Sequence, residues 1–257
     1  MQTMNNKVKT WVLLRGLTRE HRHWEGFPEK LQQCFPDSHI ITPDLPGNGD
    51  HADLTSPASI QDMMHFLRKD ITSSIESVPV HIVGLSMGAM VAIEWMKSYP
   101  QECAAGVLIN TSLKGISPFY HRLRPANYYR ILYSLFTKNT YRREKMILAM
   151  TSNLYQDTGQ LLQRWVSYAQ HNTVLPSNAL RQLLAAGRYR APDLQPDTPI
   201  LLLSSTNDML VNSKSSLSLA KNWSLPIETL PLAGHDLSLD DGDWVCHKIK
   251  HWLNDSG

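Results

Sequence analysis

The chain has 257 residues, of which 42% are hydrophobic and 19% charged. That length and composition suit one large globular domain, or one domain with an insertion, and exclude a disordered or low-complexity chain. With 25 basic and 23 acidic residues the formal charge is only +2, so overall charge gives no reason to expect nucleic acid. The cysteine count is three, Cys34, Cys103 and Cys246, widely spaced; no disulfide framework or CxxC follows, and a reducing compartment fits best. The first ten residues show no apolar leader pattern, and no run approaches the roughly 18 apolar residues of a membrane span. A cytoplasmic protein without stable membrane insertion is expected.

The first apolar run is VKTWVLL (8–14), and it stops at Arg15-Gly16. Arg15, Arg19, Arg22, His21 and His23 then crowd into nine residues, a pattern open to reading as an anion grip, a metal site through His21-x-His23, or scaffolding. Two histidines at that spacing need a third ligand. Beside them only Glu20 offers one, so no metal is assigned. HIITP (39–43) is the next strand candidate, followed by the turn-rich DLPGNGD (44–50). Over 59–75, Ile60, Met63, Met64, Leu67, Ile71 and Ile75 share one helical face, with Ser59 and Asp62 spaced as a capping box.

VHIVGLS (80–86) opens the third apolar run and leads into a helical pattern through GLSMG (84–88). G-x-S-x-G between a strand and a helix is the layout of a nucleophile elbow. The serine sits on a sharp turn, the glycines remove Cβ atoms that would collide, and the helix N-terminus offers N–H groups to a developing oxyanion. Ser86 is therefore the candidate nucleophile.

AGVLIN (105–110) is a fourth strand candidate. Between Thr111 and Thr198 no strand pattern occurs, and the text is helical, rich in Tyr, Leu, Arg and Met. The expected division is a core over 1–112, a helical cap over 113–190, and the rest of the core over 191–257. From Lys114 to Lys145 there are eight Lys/Arg and one acid, Glu144, interleaved with aromatic residues. The segment reads either as a solvated cap face or as a surface for an anionic group: an acyl-carrier protein, CoA, or an acidic lipid surface.

The remaining strand candidates are PILLLSS (199–205), followed by TNDMLV, and PIETLPL (226–232), followed by AGHDLSLDD. Apolar runs without alternation suit strands buried on both faces, and their rhythm with helices points to a mostly parallel α/β sheet. A serine nucleophile needs a base, and the base needs an acid to hold its tautomer. Asp208 and His235 follow two successive strands in the order Ser, Asp, His, at the ends where such sheets build sites. Of the eleven histidines, His65, His247 and His251 lie in helical patterns and His81 within a strand, which leaves them to surface or packing roles. Asp236 adjoins His235 and is poorly placed to orient it. In WVCHKIKHWL (244–253), Val245, Ile249 and Trp252 form one apolar side.

The ordered set Arg15-Gly16-Leu17, DLPGNGD, GLSMG and NDMLV…AGHD resembles the α/β-hydrolase superfamily, in its small bacterial carboxylesterase-like branch. The resemblance spans nearly the whole chain. It implies a mostly parallel twisted sheet flanked by helices with a helical cap, and a serine hydrolase cleaving an ester or thioester, without metal or organic cofactor. A lyase or carbon–carbon bond hydrolase, or a non-catalytic binding member, are the alternatives on the same fold. It also implies that the backbone N–H groups of Leu17 and Met87 form the oxyanion hole. Arg15 departs from the family, which usually places histidine there; a loop-holding role through hydrogen bonds is expected for it. The implied partners are a small acyl ester or thioester and an anionic carrier, acyl-carrier protein or CoA.

Overall fold

The structure, a computed structural model, describes residues 8–75 and 78–255. The absence of a leader pattern in residues 1–10 falls mostly on residues 1–7, outside the described residues. Six parallel strands form one sheet: β1 (Lys9–Leu14), β2 (Ser38–Ile41), β3 (Val80–Leu85), β4 (Cys103–Ile109), β5 (Ile200–Ser205) and β6 (Ile227–Leu230), in the order β2-β1-β3-β4-β5-β6. The order reverses between β1 and β3, which creates the crevice where open α/β sheets bind ligands.

The apolar runs are explained by burial on both sheet faces. Trp11, Leu13, Val83, Leu85, Val107 and Ile109 point to one face, against Phe27 and Leu31 of α1 (Phe27–Cys34) and Val245 and Ile249 of the C-terminal helix (Gly242–Asp255). Val12, Leu14, Ile82, Leu108 and Leu202 point to the other. They pack on α2 (Ile60–Asp70), α3 (Met87–Ser98) and the helix Lys214–Trp223. Two strands stop before a proline that lies inside their apolar runs. β2 ends at Ile41, two residues before Pro43, and β6 ends at Leu230, just before Pro231; proline offers no N–H to a ladder. Ser59 caps α2 through one half of the expected box, its hydroxyl accepting the Asp62 N–H at 3.1 Å, but the helix stops at Asp70. Ile71 and Thr72, both β-branched, follow in a tighter turn.

Between β4 and β5 the chain forms α4 (Phe119–Arg122), α5 (Tyr128–Phe136), α6 (Thr140–Thr151), α7 (Thr158–His171) and α8 (Pro176–Arg188), with no strand among them. A single bridge, Lys114 to Arg190, closes the base of this excursion. Leu148, Leu161, Leu162 and Trp165 give it a small core of its own, shared with Leu239. Polar contacts fasten it to the body. Arg19 Nη1 donates to Glu144 Oε2 at 2.6 Å, Trp165 Nε1 to Glu25 Oε1 at 3.0 Å, and the Thr18 N–H to Gln182 Oε1 at 2.9 Å. The Ser56 N–H donates to Asn178 Oδ1 at 2.9 Å. After β5 come α9 (Lys214–Trp223), α10 (Leu237–Asp240) and α11 (Gly242–Asp255). No helix among the described residues is long and apolar enough to cross a membrane.

Candidate active site

Ser86 is the single residue between β3 and α3, with φ 57° and ψ −112°. A non-glycine residue adopts that backbone only where its surroundings enforce it. The enforcement is visible on both sides. The Ser86 N–H donates to Ile109 O at 2.9 Å, and Thr111 Oγ1 donates to Ser86 O at 3.1 Å. A methyl group on Gly84 would lie 2.6 Å from Ala89 Cα, and one on Gly88 would lie 2.1 Å from Leu14 O. Strand and helix therefore cross too closely for any other residue at either position. Met87 begins α3, where backbone N–H groups have no intrahelical acceptor.

The β1 turn runs beside this elbow. A methyl group on Gly16 would sit 3.3 Å from both Leu85 O and Ser86 Cβ, which places Leu17 next to the serine. Leu17 and Ser86 line the same two clefts.

Asp208 and His235 meet although 27 residues apart: His235 Nδ1 is 2.7 Å from Asp208 Oδ2, and both residues are buried. The other carboxylate oxygen, Oδ1, accepts the Leu210 and Val211 N–H groups at 2.7 and 2.9 Å, so the turn after β5 fixes the carboxylate's orientation. His235 is held through its own backbone. Asn110 Nδ2 donates to His235 O at 2.8 Å while Asn110 Oδ1 accepts the Ser205 N–H at 2.9 Å. Asn110 directly follows β4 with φ 47°, a conformation asparagine tolerates better than most residues. Sequence reasoning missed it; an asparagine closing an apolar strand was the available signal. Ser86 and His235 line one cleft, but no hydrogen bond joins the Ser86 hydroxyl to His235 among the described residues. Such contacts often tighten only when substrate binds.

Arg15 makes hydrogen bonds, and its partner, Asp236, is the part the sequence did not indicate. Arg15 Nη2 lies 2.5 Å from Asp236 Oδ2, and the guanidinium sits 4.7 Å from the Trp24 ring centroid. Burial opposes ionisation of Asp236, but the charge and hydrogen bond of Arg15, with Ser238, hold its pKa below the ordinary range. Asp236 thus serves Arg15 rather than the imidazole of His235.

His21 and His23 diverge. His21 Nδ1 lies 2.7 Å from Asp44 Oδ2, and that hydrogen bond raises its pKa against the opposing effect of burial. His23 is buried, and burial together with Arg19 and Arg15 pushes its pKa well down. Neutral His23 accepts from Arg19 Nη1 through Nε2 at 2.9 Å. His21, Asp44 and Asp50 bring three ligand-type atoms within 4.8 Å of one another. Asp44 is already engaged there, accepting the His21 N–H at 2.6 Å and the Asp50 N–H at 2.9 Å. The group is a loop staple in DLPGNGD, where Gly49 (φ 49°) leaves the space that Asp44 occupies.

Two clefts flank Ser86. One is walled by His235, Asp236, Met150 and Trp165. The other is walled by Met87, Met90, Phe119 and Tyr128. Leu17, Ile131, Leu183 and Leu210 belong to both. The site offers a strained hydroxyl at a helix N-terminus, a histidine paired with a buried carboxylate, and apolar space to either side.

Residues 11–248 match the family model described as the alpha/beta hydrolase family. A Pseudomonas putida protein named 2-hydroxy-6-oxononadienedioate/2-hydroxy-6-oxononatrienedioate hydrolase 1 is 22% identical over 220 residues, 82% of this chain and 75% of that protein. Among solved structures, a thermophilic esterase from Thermogutta terrifontis superposes with TM-score 0.75 at 17% identity, over 96% of this chain and 90% of that one. An esterase from a Rhodococcus species gives TM-score 0.76 at 16% identity, over 97% and 92%.

Proposed function

Since the chain belongs to the alpha/beta hydrolase family, we propose that it is a serine hydrolase that cleaves a carboxylic ester or thioester through an acyl-enzyme. The observation that carries this reading is the 2.7 Å bond between His235 Nδ1 and Asp208 Oδ2, made in the wall of the cleft that Ser86 also lines. With Nδ1–H directed at the carboxylate, Nε2 is left as the basic nitrogen. Ser86 Oγ attacks the carbonyl carbon while His235 Nε2 takes its proton. The Leu17 and Met87 N–H groups donate to the oxyanion, and Asp208 stabilises the imidazolium. Collapse of the tetrahedral intermediate breaks the bond to the alcohol or thiol, which leaves with the proton from His235. Water, deprotonated by His235, then releases the acid and regenerates Ser86.

In this reading the chain divides into a core over 1–112 and 191–257 and a cap over 113–190. The two apolar clefts take the acyl and leaving-group sides of the substrate. A CoA or carrier-protein thioester is the anionic form such a substrate would take. Three free cysteines suit a cytoplasmic setting.

The test is labelling by a fluorophosphonate, followed by a chain-length series of p-nitrophenyl esters. Ser86 is expected to carry the label, and Ser86→Ala to lose both label and turnover while unfolding as the parent does. A folded protein that resists the probe at neutral pH sinks the mechanism.

The Pseudomonas putida relative is named for hydrolysis of a hydroxy-oxo-dicarboxylate, a compound with no ester, which favours one second reading, hydrolysis of a carbon–carbon bond next to a carbonyl. Labelling at Ser86 with no turnover across the ester series is the result that selects it.

A further inference from the structure

We propose that the outer face of α5, together with the exposed Phe119 of α4, docks the protein onto an anionic lipid surface. The observation is that α5, a nine-residue helix of sequence YYRILYSLF, is apolar on two sides and has no fully buried residue. Its inner side is accounted for: Ile131 and Leu135 line the clefts above Ser86. Its outer side carries Tyr129, Leu132, Tyr133 and Phe136, the i, i+3, i+4, i+7 spacing that a helix uses to bury a stripe. Instead Tyr129 is 74% exposed, Leu132 57% and Phe136 71%. Phe119 of α4, which lines a cleft with Tyr128 and Ile131 of α5, is 71% exposed. Large apolar side chains grouped on one exposed helix face, as Tyr129, Leu132 and Phe136 are, mark an interaction surface rather than ordinary exposure.

Charge identifies the occupant. The one acid between Lys114 and Lys145 is Glu144, and it is buried, held by Arg19 at 2.6 Å and Arg143 at 3.2 Å. The charge this segment shows to solvent is therefore wholly positive: Lys114, Arg130, Lys138, Arg142 and Lys145 are exposed. A helix with aromatic residues and leucine outward, in a segment whose exposed charges are cations, matches the headgroup boundary of an anionic bilayer. There, rings reach the acyl boundary and the cations meet phosphates. Phe119 is both exposed to solvent and part of the cleft wall beside Ser86. A docked molecule would thus hold that cleft against the lipid, and an apolar substrate could enter without crossing water.

The test is flotation with vesicles of phosphatidylcholine alone and of phosphatidylcholine mixed with phosphatidylglycerol. The protein is expected to float with the anionic vesicles, less with the neutral ones, and less again as salt is raised. The variant Tyr129→Ser/Leu132→Ser/Phe136→Ser touches no cleft residue. It is expected to lose partition by about tenfold or more, with far-UV circular dichroism and urea unfolding as the fold controls. Arg130→Glu/Lys138→Glu/Lys145→Glu is expected to lose the anionic preference. The proposal is overturned if the protein stays with neither vesicle, or if the triple-serine variant floats as the parent does. It is also overturned if that variant instead abolishes a dimer seen by light scattering, or the capture of acyl-carrier protein, with no vesicle binding in the parent. Flotation involves no turnover, so the outcome is independent of the ester assays.

Discussion

Arg15 and Asp236, 221 residues apart, form a buried ion pair that joins the residue before Gly16 to the residue after His235. The pair therefore links the Gly16-Leu17 turn to the segment that carries His235. Removing one partner strands the other charge in the interior, which costs about 3–5 kcal/mol. Arg15→Ala is expected to lower unfolding stability by that order and to reduce kcat/KM as well. Asp236 also accepts the Leu239 N–H and the Ser238 hydroxyl, at 3.2 and 2.7 Å. Arg15→Met/Asp236→Asn keeps an acceptor there and leaves no unpaired charge, so it should be more stable than Arg15→Ala alone. Urea unfolding of the three proteins checks this; a double variant weaker than the single one refutes the linkage.

Asp208→Asn should separate folding from chemistry. The two N–H groups of Leu210 and Val211 hold whichever oxygen occupies the Oδ1 position, so the asparagine amide nitrogen must face His235. Nδ1 then accepts instead of donating, and Nε2 carries the proton where a base is needed. A loss of roughly 10³–10⁴ in kcat is expected, with stability nearly unchanged. Near-parental kcat would remove Asp208 from the mechanism.

The glycines of the elbow predict two different outcomes. Gly88→Ala places a methyl 2.1 Å from Leu14 O, a backbone atom that cannot retreat. Destabilisation of about 3 kcal/mol is expected, read as a lower Tm. Gly16→Ala meets Ser86 Cβ and Leu85 O at 3.3 Å, a separation relieved by shifts of a few tenths of an ångström. That protein should fold and keep its KM, with kcat reduced about tenfold because the hydroxyl and the Leu17 N–H move apart.

His81 makes stability depend on mild acid. It lies in β3, buried, its ring 4.7 Å from that of Trp11. Burial, helped by Lys9, pushes its pKa down to about 4. An unfolded histidine titrates near 6.5, so between these values the unfolded chain binds a proton that the folded chain does not. The contribution is complete above about pH 6.5 and is lost as pH falls toward about 4, amounting to about 3 kcal/mol. His81→Asn lacks this loss, so the stability advantage of the parent over the variant should shrink steadily across that window. NMR should place the His81 midpoint near 4; a midpoint near 6.5 contradicts the assignment.

What the sequence discloses, and what it does not, follows from range. β1, β3, β4 and β5 are legible because strands buried on both faces must be apolar throughout, and α2 because its buried stripe repeats at helical period. Asp208 and His235 are legible because their distance along the chain is bridged by a rule about strand ends. Arg15–Asp236 and Arg19–Glu144 obey no such rule. Nothing near Arg15 in the chain indicates which of 23 acidic residues will reach it, and Asp236 looked idle because its neighbour is His235. Asn110 likewise does its work through contacts with Ser205 and His235, both distant in sequence.

The contacts of residues 15–25 carry a consequence for anyone exchanging parts between relatives. Thr18 bonds Gln182, Arg19 bonds Glu144, and Glu25 bonds Arg164 and Trp165, so three helices of the β4–β5 excursion are keyed to one short loop of the body. The transplantable unit is therefore not the helices alone. A chimera that imports foreign helices onto this loop inherits mismatched sockets beside Leu17, whereas one that imports the loop with them carries its own alignment. Graft boundaries drawn at the sheet edges would cut through the joint, and those drawn around both pieces would preserve it.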